Sequence, residues 1–180
     1  MVNWWDVVPD HERQQWSMDP FVAVGPLCFG MTPDEVSMAL SGTSMERQQH
    51  TLHQPDLDAA SMVVKGRYSD FGLCLHYREE RLAAVVVDAQ RGPQVLVDET
   101  PLVGRVPSTI EQWMIHRAEA HEPHDELVYM DAGVPGSESL GIVIDVQRVG
   151  DRPLTRPVFV PPEAMDDLSH WLPRDAWSRC

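Results

Sequence analysis

The residues best suited to chemistry in this sequence are its histidines, which fall into two groups. His50 and His53 lie three residues apart in "HTLH", and His116, His121 and His124 fall among four carboxylates in "HRAEAHEPHDE". Side chains of these types bind zinc, but such sites use H-E-x-x-H spacing on a helix or add a pair of thiolates. Neither group follows those patterns. We therefore expect solvated polar segments here, with no metal and no cofactor.

Signatures of nucleophilic or nucleotide-dependent enzymes do not occur in the chain. It has no G-x-S-x-G, no G-x-x-x-x-G-K-[ST] and no G-x-G-x-x-G, and its three cysteines follow no C-x-x-C spacing. One enzymatic alternative stays open, a site assembled across the two halves of the chain from His76, His116 or His121 and a nearby carboxylate. It predicts bound metal or an unusually titrating histidine.

The balance of charge is strongly acidic. There are 28 acidic and 14 basic residues, and the formal net charge is −14. Such a field repels phosphate backbones and attracts basic proteins, so we expect a basic protein partner and no direct contact with nucleic acid. The simpler alternative is that the surplus charge only keeps the protein in solution.

Nothing in the sequence predicts a membrane segment or a leader. No run approaches the roughly 18 apolar residues of a membrane span. The opening "MVNWWDVVPDHERQQW" lacks the basic and apolar regions of a secretory signal. We therefore expect a protein that does not enter membranes and that resides in the cytoplasm.

The elements that would position these residues begin with a helix after "LCFG". Thr32 and Glu35 have the spacing of a capping box, and Pro33 suits the first helical position. Val36, Ala39 and Leu40 then recur on one face, and Gly42 marks the end. The pattern predicts a short amphipathic helix.

Strand patterns follow that helix. The polar segment "SMERQQHTLHQPDLD" has no clear period and is expected to be a loop or an irregular helix. Three strand-like runs then follow at 61–67, 71–77 and 81–88, the second with apolar residues at alternate positions, and a further run covers 94–97. These four runs predict an antiparallel meander.

The second half of the chain resembles the first. The segment "GMTPDEV" at Gly30 has a counterpart in "GRVPSTI" at Gly104, where Ser108 and Glu111 offer another capping pair. The strand "FGLCLHY" at Phe71 likewise matches "LGIVIDV" at Leu140. We interpret this as a tandem duplication, the alternative being chance similarity of two ordinary helix-plus-sheet halves.

The remaining elements complete an α+β fold. Strands are expected at 126–131 and 157–160, with "DAGVPGSES" as a long hairpin loop, and a last helix at 162–172. The predicted organisation is an N-terminal extension (1–23), a first helix-plus-sheet repeat (24–100), a second repeat (101–160), and a C-terminal helix and tail (161–180). The two repeats could share one curved sheet.

A family resemblance accompanies these motifs. "FGMTPDEV" is similar to the repeat motif of the β-lactamase inhibitory protein family and of small outer-membrane-assembly lipoproteins of related fold, and the tandem arrangement resembles the inhibitors. The resemblance implies two repeats forming one curved surface, which inhibits an enzyme by laying its concave face and two hairpin loops over the active site. "VGPLCFGMTPDEV" also resembles the openings of actinobacterial cytoplasmic proteins, some of them similar to immunity proteins.

These observations favour a non-enzymatic, acidic binding protein that neutralises a basic toxin or enzyme by occluding its active site. Aromatic and acidic side chains at loop tips suit recognition of a basic, concave surface. The candidate partner-binding residues are Tyr68, Asp70, His76, Tyr129, Asp131 and Glu138.

Overall fold

The computed structural model of the protein describes residues 5–41, 46–51, 62–121, 127–130, 133–167 and 171–172, with 46–51 and 62 described by backbone alone. The elements in chain order are β1 (Gln15–Asp19), β2 (Ala23–Val24), β3 (Leu27–Cys28), α1 (Pro33–Ala39), β4 (Glu46–Thr51), β5 (Met62–Tyr68), β6 (Leu73–Arg78), β7 (Arg81–Val87), β8 (Gln94–Val97), β9 (Thr100–Pro101), α2 (Pro107–Ala120), β10 (Leu127–Met130), β11 (Val134–Ser137), β12 (Ile142–Val149), β13 (Arg152–Phe159) and α3 (Pro162–Met165).

The fold is α+β, as the sequence predicts, and its main sheet is built from two similar halves. The eight strands run in the order β10-β11-β12-β13-β7-β6-β5-β4, and every neighbouring pair is antiparallel. Each half is thus one helix followed by a four-stranded meander, and the last strands of the two meanders, β7 and β13, join them into one sheet.

Matching backbone contacts support the tandem duplication. The Gly30 N–H donates to the Leu82 carbonyl at 2.9 Å, and Gly104 donates to Thr155 at the same distance. In both halves the glycine before the helix is therefore tied to the last strand of its own meander. One extra residue, Ala83, distinguishes the halves, because the register of β6 and β7 shifts between His76 and Tyr77.

A second, five-stranded sheet has the order β3-β2-β1-β8-β9, with β1 and β8 parallel. The sequence prediction assigned 94–97 to the first meander, which is wrong, because Gln94 pairs with Gln15 of the N-terminal extension. The missing strand of that meander is β4, in a segment expected to be a loop or irregular helix. Its polar residues suit a sheet edge, where strands need no apolar pattern.

Three predictions in the second half need correction. The loop expected in "DAGVPGSES" contains β11. This strand was not predicted because Pro135 and Gly136 are residue types that rarely occur in strands. Strand β13 begins at Arg152, five residues before the predicted run, because register with β12 extends over eight residue pairs. The capping pair Ser108 and Glu111 lies inside α2, whose N-cap is Val106 without a side-chain hydrogen bond.

The first helix forms as expected. The Thr32 hydroxyl accepts from the Glu35 N–H at 3.3 Å, and the Glu35 carboxylate accepts from the Thr32 N–H at 2.8 Å. The bond from the Thr32 N–H, and a second one that the Thr32 hydroxyl donates to the same carboxylate at 3.1 Å, lower the pKa of the Glu35 carboxyl. At the C-terminus α3 is followed by a turn, and the Trp171 N–H donates to the Asp167 carbonyl at 2.9 Å.

The two faces of the main sheet bury separate cores. Val36 of α1 and Ile110 of α2 pack on the first face together with the small sheet, forming the larger cluster. The second face carries Cys74, Val86 and Val158, which Ala164 and Leu172 of the C-terminal segment cover. Among the described residues, no helix combines the length and apolar character needed to cross a membrane.

Candidate functional site

A concavity opens at one end of the main sheet, where the β6–β7 turn emerges. We call it the turn groove, and its volume is about 630 Å³. One wall comes from Phe21 in the β1–β2 turn and from Phe29 just after β3, both next to the small sheet on the first face. The other comes from Trp171 and prolines 161 and 162 of the C-terminal segment on the second face. The groove therefore lies where both layers meet the central strands.

The turn itself has an unusual backbone. Glu79 and Glu80 have φ of 48° and 60°, the left-handed values that a two-residue hairpin of this type requires and that Asn-Gly normally supplies. This conformation raises the free energy of a residue with a β-carbon by about 1–2 kcal/mol. The corresponding turn in the second half begins with Gly150, at φ 62°. The first half thus holds two carboxylates where a glycine would be less strained.

Phe21 has the same kind of backbone, with φ 64°. Its ring lies so close to Gly141 that an added β-carbon there would come within 2.7 Å of a ring carbon. Strained residues collect at binding sites more often than elsewhere. Here two of them, Phe21 and Glu79, line one groove.

Hydrogen bonds fix the tryptophan wall. The Trp171 indole N–H donates to the Ala83 carbonyl at 3.0 Å. The Arg78 guanidinium stacks over the ring, with its carbon 4.3 Å from the ring centroid, and donates to the Trp171 carbonyl at 3.1 Å. Three contacts therefore hold the Trp171 ring in its place in the groove.

The arginines that line the groove have partners within the protein, whereas two of its glutamates do not. Arg78 is stacked as described, and Arg81 donates to the Gly30 carbonyl at 3.1 Å and lies close enough to Glu35 to help lower its pKa. Glu79 and Glu163 are exposed and make no hydrogen bond or ion pair with the described residues. The groove thus offers two unengaged carboxylates beside arginines that already have partners.

A second concavity, of about 580 Å³, surrounds the corresponding β12–β13 turn. It is formed by Trp5, Asp6 and Asp151 around Gly150, and Trp5 is 54% exposed. Because strand directions alternate along the sheet, this turn lies at the opposite end from the turn groove. Each half of the molecule therefore presents aromatic and acidic side chains at the turn between its third and fourth strands.

Among the side chains that the structure describes, the buried charged ones are all basic. Arg13 donates to the carbonyls of Val8, Ala89 and Gly92 at 2.6–2.9 Å. Arg156 is bonded to Asp145 on the neighbouring strand, and Lys65 is 4% exposed. Among the side chains that the structure describes, these buried cations contrast with carboxylates that are all at least partly accessible.

Two of the predicted partner-binding residues are buried. Tyr68 is inaccessible, and its hydroxyl lies 3.1 Å from that of Tyr77. Burial raises the pKa of both phenols, and for Tyr77 the hydrogen bond to Tyr68 raises it further. His76 is also fully buried, on the second face of the sheet. Neither side chain is available to a partner in this conformation.

Three others are exposed but dispersed. Asp70 follows β5 and Glu138 follows β11, at opposite ends of the sheet. Tyr129 is 53% exposed on β10, and its hydroxyl donates to Glu111 at 3.0 Å, which raises the pKa of the phenol. Asp131 lies outside the described residues. The structure therefore does not gather these candidates into one surface.

The histidines considered for an enzyme are also separated. His76 faces the second side of the sheet, whereas His116 is exposed on α2 and His121 is exposed at its C-cap, and α2 packs on the first side. The described ranges hold no cluster of three potential metal ligands. The side chain of His50, and residues 53 and 124, fall outside the described part of the chain.

Sequence reasoning missed Phe21, Phe29, Glu79 and Trp171, which meet only through the tertiary fold. One signal was present. "REER" joins two strong strand patterns with two residues, neither of them glycine or asparagine.

Comparison with known protein families, curated proteins and solved structures finds no match to this chain.

Proposed function

We propose that this chain is a non-enzymatic, acidic binding protein of the inhibitor or immunity type. It neutralises a basic toxin or enzyme by covering the partner's active site. The proposal rests on how the charged side chains are distributed between the interior and the surface. Among the side chains that the structure describes, every buried charged one is basic, and every carboxylate remains at least partly accessible.

An acidic surface of this kind serves a basic partner in two ways. It steers the encounter, raising the association rate most at low salt, and it disfavours acidic competitors. The resemblance of "FGMTPDEV" to the inhibitor repeat supports the same role, and the cytoplasm is the compartment we propose for it.

The turn groove is the surface we assign to recognition. Aromatic anchors in a concavity are the usual energetic centre of protein interfaces, and surrounding charges act mainly on rate and selectivity. The groove combines both, because Phe21, Phe29 and Trp171 stand beside Glu79 and Glu163. The exposed Trp5 site at the opposite end could extend the contact to a large partner.

The test begins with affinity purification of the tagged full chain from its native host and identification of retained proteins. Each retained protein is then purified and titrated against the chain at 50 and 300 mM salt, and its own activity is measured with and without the chain. The proposal expects a basic partner, binding that weakens with salt, and loss of the partner's activity. If no purified protein binds, or if the bound protein keeps full activity, the proposed role is wrong.

A further inference from the structure

We propose that the turn groove receives one arginine side chain from an exposed segment of the partner. This inference rests on the proposed function, because it specifies what the same groove recognises. The guanidinium would lie against the aromatic wall and pair with Glu79 or Glu163.

The shape and lining of the groove favour a long side chain with an apolar stem and a planar charged end. Phe21, Phe29 and two prolines supply apolar walls for the methylene groups. A volume of about 630 Å³ is larger than one side chain requires, and leaves room for the backbone that carries it.

The molecule already contains the contact that we assign to the partner. Arg78 stacks its guanidinium on the Trp171 ring at 4.3 Å, the geometry in which a planar cation is attracted to an aromatic face. A lysine ammonium lacks the planar shape and the paired donors, so arginine is the better occupant.

Charge complementarity supports a cation over an anion. Arg81 is held by the Gly30 carbonyl and lies near Glu35, and Arg78 is held by the Trp171 carbonyl. Glu79 and Glu163 have no such partner among the described residues. An incoming guanidinium therefore finds two carboxylates to pair with, and the net charge of −14 favours a cation over an anion.

The test uses small probes, so it does not depend on knowing the partner. N-acetyl-arginine amide, its lysine counterpart and its uncharged isostere citrulline are titrated into the full chain. The indole N–H resonance of Trp171, assigned with Trp171→Phe, is followed by NMR. We expect millimolar binding of the arginine probe, weaker binding of lysine and no saturable shift with citrulline. Equal shifts from all three probes, or none from arginine, would overturn the inference.

Matched variants locate the site. Glu79→Gln and Glu163→Gln should each weaken the arginine probe about two- to fivefold, the effect of losing an exposed ion pair. Glu99→Gln removes an exposed carboxylate from a turn outside the groove and should leave the probe's affinity unchanged. Equal loss in all three variants would indicate a general charge effect and contradict a specific pocket.

The same variants separate this inference from the proposed function. If a purified partner binds Glu79→Gln and Glu163→Gln as tightly as the unmodified chain, the groove is not its site, although the inhibitor role stands. If the arginine probe binds in the turn groove but no protein partner is found, the inhibitor role is wrong. The inference that the groove binds an arginine side chain would still hold.

Discussion

Val86 and Val158 occupy equivalent positions in the two halves of the molecule and pair directly with each other across the middle of the main sheet. The equivalence follows from matching contacts, since the Gly72 carbonyl accepts from Asp88 and the Gly141 carbonyl accepts from Val160, both at 2.9 Å. Strands that pair through equivalent residues are related by an approximate two-fold axis perpendicular to the sheet. The arrangement is the one expected at the interface of a symmetric dimer, here within one chain.

This pairing predicts that the two valines are energetically coupled. Val86→Ala and Val158→Ala should each lower the free energy of unfolding by about 2 kcal/mol, because both side chains are inaccessible. The double variant should deviate from additivity by about 0.5 kcal/mol or more. Urea unfolding followed by circular dichroism measures all three. Val86→Ala combined with Val36→Ala, which lies on the other face, is the control and should be additive.

Gly72 and Gly141 precede equivalent strands, with φ of 62° and 65°. A β-carbon at either position would lie 2.5 Å from a backbone atom, of Gly92 or of Val160. Replacement by alanine should therefore lower the free energy of unfolding by about 2 kcal/mol or more. This figure includes both the backbone strain of a positive φ and the overlap of the new β-carbon with its neighbour. Thermal unfolding provides the measurement.

The control for these variants is Gly30→Ala, where φ is 87° but the space beyond the α-carbon is open. It carries the conformational cost of about 1 kcal/mol without the overlap. Should all three alanine variants lose the same stability, the close backbone approach would not be what selects glycine at 72 and 141.

The two helices should respond differently to loss of a hydroxyl in the first turn. Thr32→Ala removes the observed cap of α1 and should lower the free energy of unfolding by about 1 kcal/mol. Ser108→Ala lies inside α2, where no such cap exists, and should be neutral or slightly stabilising. Chemical denaturation of both variants decides this. A cost for Ser108→Ala as large as that for Thr32→Ala would argue for a second capping box.

Local signals explain what the sequence predicted well. Helix α1 follows from Thr32 and Glu35, which contact each other within one turn, and β6 follows from alternation over a few residues. The similarity of the two halves could be recognised in the sequence because glycines 30 and 104 hold equivalent turns. Each of these features depends on residues close together in the chain.

Other features depend on distant partners and had no local signal. The polar strand β4 exists because β5 offers it six register pairs, and β8 leaves the meander because Gln15 is available for parallel pairing. The turn groove likewise joins Phe21, Glu79 and Trp171, which lie far apart in sequence. The buried positions of Tyr68 and His76 could not be foreseen from strand alternation alone, because both faces of the sheet are covered.

Asp10 should make stability depend on pH in the acidic range. Burial alone would raise its pKa, but hydrogen bonds from Gln94 and Arg105, and the charges of Arg105 and Arg13, outweigh burial and lower it. A carboxyl whose pKa is lower in the folded state stabilises the fold above the unfolded value, near 4, and loses this effect as pH falls through the folded value. Urea unfolding at pH 7 and at pH 2.5 should therefore show Asp10→Asn less stable than the unmodified chain at pH 7, with the difference reduced at pH 2.5. A difference independent of pH would contradict this.

The glutamates of the β6–β7 turn should lower the stability of the protein and strengthen its binding of a basic partner. In E79N/E80G the strained pair is replaced by the residues that this turn prefers. The free energy of unfolding should rise by about 1 kcal/mol, since relief of the left-handed strain exceeds the entropy that glycine adds to the unfolded chain. The same variant loses two carboxylates beside the groove and should bind a basic partner, or the arginine probe, more weakly.

The matched control is D98N/E99G, which changes the β8–β9 turn, where φ is 47° and 64°. It removes two carboxylates from the same kind of turn but outside the groove, and it also loses the exposed contact from Arg117 to Asp98. We expect a somewhat smaller gain in stability and unchanged probe affinity, measured by denaturation and NMR titration on the same samples. If E79N/E80G were more stable and still bound the probe with full affinity, the strained glutamates would not be needed for recognition. A less strained turn would then support the same binding.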